Sequence, residues 1–236
     1  MNILIILLPF IGSFIGTLSV YFINKKSEKL KQITTGLSAG VMIVVTFLSL
    51  ILPAFDLVKQ TNSSWFPIIF GILLGVFIIL SLDLMLNKRR TNNALIIVIA
   101  IILHNIPEGL ATGISLVGSV TNYISISDAF FLSFAITLHN IPEGIIVALS
   151  SKNKKDAIKY GILSGIVEPI SAGITFLLTQ NLNSLMPYML TFAGGAMLYV
   201  ICDELIPESK SEYNKLGVIG VTLGSVIMLL LELIFG

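Results

Sequence analysis

The chain alternates long apolar runs with short polar clusters, and the runs share one size. Eight lie at roughly 2–23, 33–54, 66–86, 94–117, 128–150, 157–179, 187–206 and 215–235. Each holds the about 20 mostly apolar residues that an α-helix needs to cross the hydrocarbon layer. Clusters such as NKKSEKLK, NKRRTNN and SKNKKD end them. Backbone groups without partners are costly in lipid, so runs of this length are predicted helices. The alternating segments of about ten residues that mark a membrane β-barrel are not visible. The pattern predicts an all-α polytopic membrane protein of eight transmembrane helices, one domain over 1–236. The opening run, MNILIILLPFIGSFIGTLSVYF, lacks a basic leading segment. It reads as the first membrane helix and not as a cleaved signal.

Composition supports that class. The 236 residues are 55% hydrophobic and 11% charged, against about 25% charged in a typical soluble domain. The formal net charge of +1 gives no reason to expect a nucleic-acid partner. The placement of the basic residues says more. Odd-numbered linkers carry Lys25, Lys26, Lys29 and Lys31; Lys88, Arg89 and Arg90; Lys152, Lys154 and Lys155; Lys210 and Lys215; and Lys159 begins the sixth run on the same side. The opposite side has only Lys59, so the 14 basic residues divide 13 to 1. Basic loops stay in the cytoplasm, which predicts both termini outside it. The single cysteine, Cys202, excludes an internal disulfide and a thiolate metal cluster, and reads as a packing residue near a helix end.

Two echoes run through the chain. HNIPEG occurs from His104 and again from His139, 35 positions on, in adjacent and therefore antiparallel runs. AGVMIVVTFLSLILP from Ala39 and AGGAMLYVICDELIP from Ala193 match more loosely, with Gly40 to Pro53 and Gly194 to Pro207 both 13 apart. Inverted repeats are a common plan of alternating-access transporters, whose site lies near the midplane at the repeat interface. Met42 and Met197 hold places one residue apart in the second echo and could line a path.

The first echo carries the chemistry. His104 and Glu108 are i and i+4, one helical turn apart on one face, and His139 and Glu143 repeat the spacing. Asn105 and Asn140 sit about 100° round from the histidines, and the sixth run adds Glu168 in IVEPISAG. A charge at the centre of a membrane helix costs about 2.5–3.5 kcal/mol on insertion scales. Three neighbouring glutamates also repel one another unless a cation compensates. No Lys or Arg lies in the middle of any run, so the positive charge has to come from outside the polypeptide. Imidazole nitrogen with carboxylate oxygen suits Zn²⁺, Fe²⁺, Mn²⁺ or Co²⁺. Seven donors exceed one tetrahedral ion, whereas two ions sharing a glutamate bridge would use them all. Pro107, Pro142 and Pro169 each remove an N–H and clash one turn back, which predicts broken helices lining a crevice. Gly109, Gly113, Gly144, Gly165 and Gly173 are expected to let backbones approach closely. Asp56, Asp83 and Glu232, near helix ends, read as structural. Asp203, Glu204 and Glu208 read equally as a solvated helix end or as a cytoplasmic mouth.

On these residues the chain resembles the ZIP (Zrt- and Irt-like) family of divalent metal transporters, in particular its short prokaryotic branches. HNxPEG in the fourth helix falls on His104, Asn105, Pro107, Glu108 and Gly109. The paired set in the fifth falls on His139, Asn140, Pro142 and Glu143, and the Glu-Pro of the sixth on Glu168 and Pro169. The resemblance implies that His104, Glu108, His139 and Glu143 hold a primary ion. Asn105, Asn140, Glu143 and Glu168 would hold a second, with Glu143 and Glu108 able to bridge. It implies eight helices in a prokaryotic cell (inner) membrane, a homodimer, and inward movement of a divalent ion, zinc first, with iron, manganese, cobalt and cadmium as further cargo. The metal is then transported substrate and not a prosthetic cofactor. The implied motion slides helices one, four, five and six against a scaffold of two, three, seven and eight. Two positions depart from relatives. Ser49 stands where one zinc- and iron-transporting branch has Glu, and the third linker, LNKRRTNNA, lacks a His-rich tract. The alternative is a membrane-embedded metal-dependent hydrolase, in which a glutamate activates metal-bound water. HExxH is absent, and Asn105 and Asn140 offer amides where such an enzyme needs a base, so a transporter and not an enzyme is expected.

Overall fold

The computed structural model describes residues 2–22, 27–61, 64–87, 94–179, 185–211 and 214–235, with side chains at all of these but 2, 86–87, 94–104, 150 and 235. The described residues form eight long helical columns. These are α1 (Asn2–Leu18), α2 (Glu28–Gln60), α3 (Phe66–Asn87), α4 (Ala94–Val120), α5 (Ile126–Ser150), α6 (Lys154–Thr179), α7 (Met186–Ser209) and α8 (Leu216–Phe235). Among the described residues, seven helices are long and apolar enough to cross a membrane; α4 adds the apolar stretch ALIIVIAIIL. Leu73, Phe77, Leu230 and Leu233 on α3 and α8 are exposed, as on helices bathed in lipid. The chain is an all-α polytopic membrane protein.

Local signals set the helix starts. Ser27 caps α2 by accepting from Leu30 N–H, and Asn153 caps α6 by accepting from Asp156 N–H. Ser125 and Asp128 form a reciprocal capping box on α5, satisfying two of the amides a helix start leaves bare. Without a hydrophobic drive between helices in lipid, close packing has to hold the bundle together. Four pairings dominate: α1 with α5, α4 with α6, α2 with α8, and α3 with α7. Each rests on two glycines four apart. Gly12 and Gly16 face the Thr137 and Ile141 carbonyls, and Gly109 and Gly113 face those of Glu168 and Ala172. Gly36 and Gly40 meet Gly217 and Val221, while Gly71 and Gly75 meet Tyr188 and Phe192. A Cβ at any of these positions would strike the partner's backbone. Gly144 and Gly165 also lie against neighbours, but Gly173 has open space beside it, so the close approach expected there is absent.

The pairings divide the columns into two groups. α1, α4, α5 and α6 pack together, as do α2, α3, α7 and α8, and the groups meet where α2 touches α5 and α4 touches α7. The apolar core lies at that junction. It includes Met42 and Met197, both fully buried, which makes them packing residues.

The prolines act differently from the expectation of broken helices. Pro107 and Pro142 lie inside uninterrupted helices, whereas α6 breaks at Ile166 into Lys154–Gly165 and Val167–Thr179. α2 and α7 each contain a π turn, Thr46–Ile51 and Ile201–Leu205. The two turns sit at matching places in the second echo, each ending two residues before Pro53 or Pro207. A proline ring collides with the carbonyl four residues back, and widening the preceding turn by one residue relieves that contact. Cys202 lies on the second π turn and is exposed, not packed as its sequence context predicts.

Candidate metal centre

The middle of α4 and α5 brings three ionisable side chains together. Glu108, His139 and Glu143 each offer a ligand atom, and the three atoms lie within 4.8 Å of one another. His139 Nε2 is 3.0 Å from Glu108 Oε1 and 3.9 Å from Glu143 Oε2. Glu108 and His139 are both 2% exposed. The other imidazole nitrogen, Nδ1, is 3.1 Å from the Ser38 carbonyl on α2. A carbonyl oxygen can only accept, so Nδ1 carries the proton and Nε2 is the nitrogen facing the carboxylates. His104 belongs to α4, but its side chain lies outside the described residues.

Beside this cluster the broken sixth column places Glu168 in the first turn of its second half, fully buried. Three donors converge on it. Oε1 accepts from Ser13 Oγ at 3.1 Å and Asn105 Nδ2 at 2.9 Å, and Oε2 accepts from Asn140 Nδ2 at 2.6 Å. The same amide nitrogens also reach the backbone, Asn105 to the Ser164 carbonyl and Asn140 to that of Pro9. With both nitrogens turned to a carboxylate and to carbonyls, both amide oxygens point elsewhere. Among the described residues, Asn105 Oδ1, Asn140 Oδ1 and Glu108 Oε2 are buried without a hydrogen-bond partner. Leaving a buried polar group unsatisfied costs about 1–3 kcal/mol. All three orphans are acceptors, and a cation satisfies such a set without adding a donor to the protein.

Of the expected site residues, the structure gathers Glu108, His139 and Glu143 into one cluster. Asn105, Asn140 and Glu168 form an adjoining hydrogen-bonded set. Sequence reading missed the braces. Ser13 and the Pro9 carbonyl on α1, Ser164 on α6 and Ser38 on α2 all hold site residues. Pro9 signals only a freed carbonyl four residues back, and that carbonyl is not one of these braces. The Ile5 carbonyl is taken by Ser133 Oγ of α5.

Asp56 and Glu232 have a place beyond helix-end structure. With Asp128, Ser49 and Ser115 they line a cavity of about 530 Å³ at the C-terminal ends of α2, α4 and α8. At the other end Lys31 pairs with Glu208 at 3.7 Å. Tyr199 donates to Asp83 at 3.2 Å, and Asp203 is exposed.

A buried cluster of two carboxylates and an imidazole, set between two like-patterned helices of a polytopic bundle, defines the metal-coordinating site of a transmembrane transporter for divalent metal ions. The pattern described as ZIP zinc transporter matches residues 87–232. Over 239 residues the chain is 34% identical to "Zinc transporter GufA" of Myxococcus xanthus, covering 94% of each chain. It is 32% identical to "Zinc transporter ZupT" of Chlorobaculum parvum, covering 95% of this chain and 92% of the relative. "Zinc transporter ZIP11" of Bos taurus is 43% identical over 148 residues, 60% of this chain and 43% of the relative. The chain belongs to the ZIP family. That family is one of transporters, and the hydrolase alternative falls with it.

Proposed function

We propose that the protein carries divalent transition-metal ions, zinc foremost, into the cell through the Glu108–His139–Glu143 centre. The observation that carries this reading is the set of orphaned acceptors, Asn105 Oδ1, Asn140 Oδ1 and Glu108 Oε2, beside an imidazole whose Nε2 faces carboxylates. A nitrogen donor among oxygens favours zinc and its neighbours over calcium or magnesium. His104 completes the first ion's ligands, and Asn105, Asn140, Glu143 and Glu168 hold a second ion. Purified protein in liposomes should take up Zn²⁺ saturably, with Fe²⁺, Mn²⁺, Co²⁺ and Cd²⁺ as competitors. Uptake no faster than in protein-free vesicles would contradict the proposal.

The whole chain, 1–236, works as one transport domain in the prokaryotic inner membrane, paired as a homodimer. All eight columns span, with inverted symmetry. Exchanging α1 with α6, α2 with α7, α3 with α8 and α4 with α5 maps the four dominant pairings onto one another, and the two π turns onto each other. Alternating access by sliding the α1, α4, α5, α6 group against the other group fits a site whose ligands all lie within the first. The 13-to-1 bias of the basic residues supports both termini outside, and with that orientation the 530 Å³ acidic cavity is the outer vestibule. Orientation is testable by labelling in a C202S background. A cysteine replacing Lys152 should resist an impermeant thiol reagent in intact cells, and one replacing Tyr123 should react. Tyr123 serves better than its neighbour Asn122, which has a left-handed φ of 63°. The reverse pattern would invert the topology.

A further inference from the structure

Hydrogen bonding in the site is almost wholly internal to one helix group. Glu168 bonds α1, α4 and α5; Asn105 bonds α6; Asn140 bonds α1 and α6. His139 differs. Its Nδ1–H donates to the Ser38 carbonyl at 3.1 Å, and the Ser38 hydroxyl donates back to the His139 carbonyl at 3.2 Å. Ser38 is fully buried and sits on α2, in the opposite group. We infer that Ser38 is a positioning residue for the metal-ligating His139, through this two-bond clasp that ties the ligand to the neighbouring helix group.

The clasp acts on ligand chemistry. The ring bond keeps a proton on Nδ1 and leaves Nε2, 3.0 Å from Glu108 Oε1, as the nitrogen that a metal ion would engage between Glu108 and Glu143. Partners of this kind orient metal-ligating histidines and raise their basicity, and losing one costs about 10–100-fold in metal affinity. The hydroxyl bond pins the α5 backbone at the same residue, so the ring cannot swing while α2 and α5 stay in register. Register is what alternating access would change. A displacement of one helical turn, about 5.4 Å, would carry His139 out of reach of Ser38 and release the ring. The seat is therefore tightest while the groups hold their present relation, and it loosens as they part. Cargo affinity is coupled to position through a ligand, without a separate gate.

The inference rests on the metal-site reading above, and its first test is independent of metal. The chain has two histidines, so ¹⁵N-histidine-labelled protein shows two imidazoles, and the H139A spectrum assigns them. In metal-free parent, His139 should show a protonated Nδ1. S38A keeps the residue 38 carbonyl and removes only the hydroxyl pin, so the protonated Nδ1 should persist while its signal broadens as the ring loses its fixed relation to α2, and S38T should sharpen it again. Zn²⁺ affinity measured calorimetrically should fall in S38A, by less than the about 10-fold that marks outright loss of a ring partner, since the residue 38 carbonyl remains, and recover in S38T. T35V removes another buried hydroxyl one turn away, that of Thr35, which has no hydrogen-bond partner among the described residues. It should change neither readout, separating positioning from packing. Unchanged ring signals in S38A would overturn the clasp, as would reduced transport at unchanged affinity, which would assign Ser38 to the helix movement. Failure of the parent to bind Zn²⁺ would instead sink the metal-site reading, leaving the ring signals to decide the clasp.

Discussion

Replacing His139 with alanine will abolish saturable zinc uptake while leaving folded protein in the membrane. His139 is the described nitrogen donor of the centre, 3.0 Å from Glu108 and held by α2 from behind. Its removal takes away a ligand, not a supporting bond, so zinc affinity should fall by more than the about 100-fold upper range for a lost supporting partner. That corresponds to at least about 2.8 kcal/mol, since each tenfold is about 1.4 kcal/mol. Folding should survive, because the backbone contacts at residue 139 do not depend on the imidazole. The Ser38 hydroxyl bonds the residue 139 backbone carbonyl, a contact alanine retains, and the glycine-mediated α1–α5 contact uses the Thr137 and Ile141 carbonyls. Radioactive zinc flux into proteoliposomes, with size-exclusion profiles of both proteins, measures the two halves. Parental uptake by H139A would mean that the ion does not pass through this centre.

The site was legible because membrane burial makes polar residues conspicuous. His139, Glu143 and Glu108 at i, i+4 spacing in apolar runs could meet only on facing helix surfaces, and they do. Glu168 was legible for the same reason. Its partners were not: a serine such as Ser13 or Ser38 costs little in a membrane helix and leaves no mark in a hydropathy pattern. Backbone carbonyls, which hold Asn105, Asn140 and His139, leave none at all. The prolines were misread in degree. Pro107 and Pro142 signalled breaks, yet those helices run through unbroken, and the interruption falls at Ile166 ahead of Glu168 and Pro169. Pairing of the columns was hidden too. GxxxG spacing at Gly12, Gly36, Gly71 and Gly109 shows that a close partner exists, but the partner's identity depends on three-dimensional placement.

Neutralising Glu168 is expected to halve the metal content of the protein. In the structure Glu168 accepts three hydrogen bonds, and two of them orient the amides of Asn105 and Asn140 with their oxygens unpartnered. Glutamine at 168 offers one oxygen and one NH₂ in place of two acceptors. One of the facing amide groups must then turn over, which withdraws an Oδ1 from the oxygen-only seat as well as removing the charge. The second seat proposed above, of Asn105, Asn140, Glu143 and Glu168, should be the weaker of two, since it lacks a nitrogen donor. Purified parent should therefore bind about two zinc ions per chain and E168Q about one, with transport reduced but present. E143Q should bind both weakly, because the proposed arrangement assigns that carboxylate to both seats; in the structure it lies 3.9 Å from His139 Nε2. Equilibrium dialysis with elemental analysis gives the counts. If the parent saturates at one ion while Glu168 keeps its bonds to Ser13, Asn105 and Asn140, the binuclear arrangement is wrong. Glu168 is then the brace that aims two amide oxygens at a single ion.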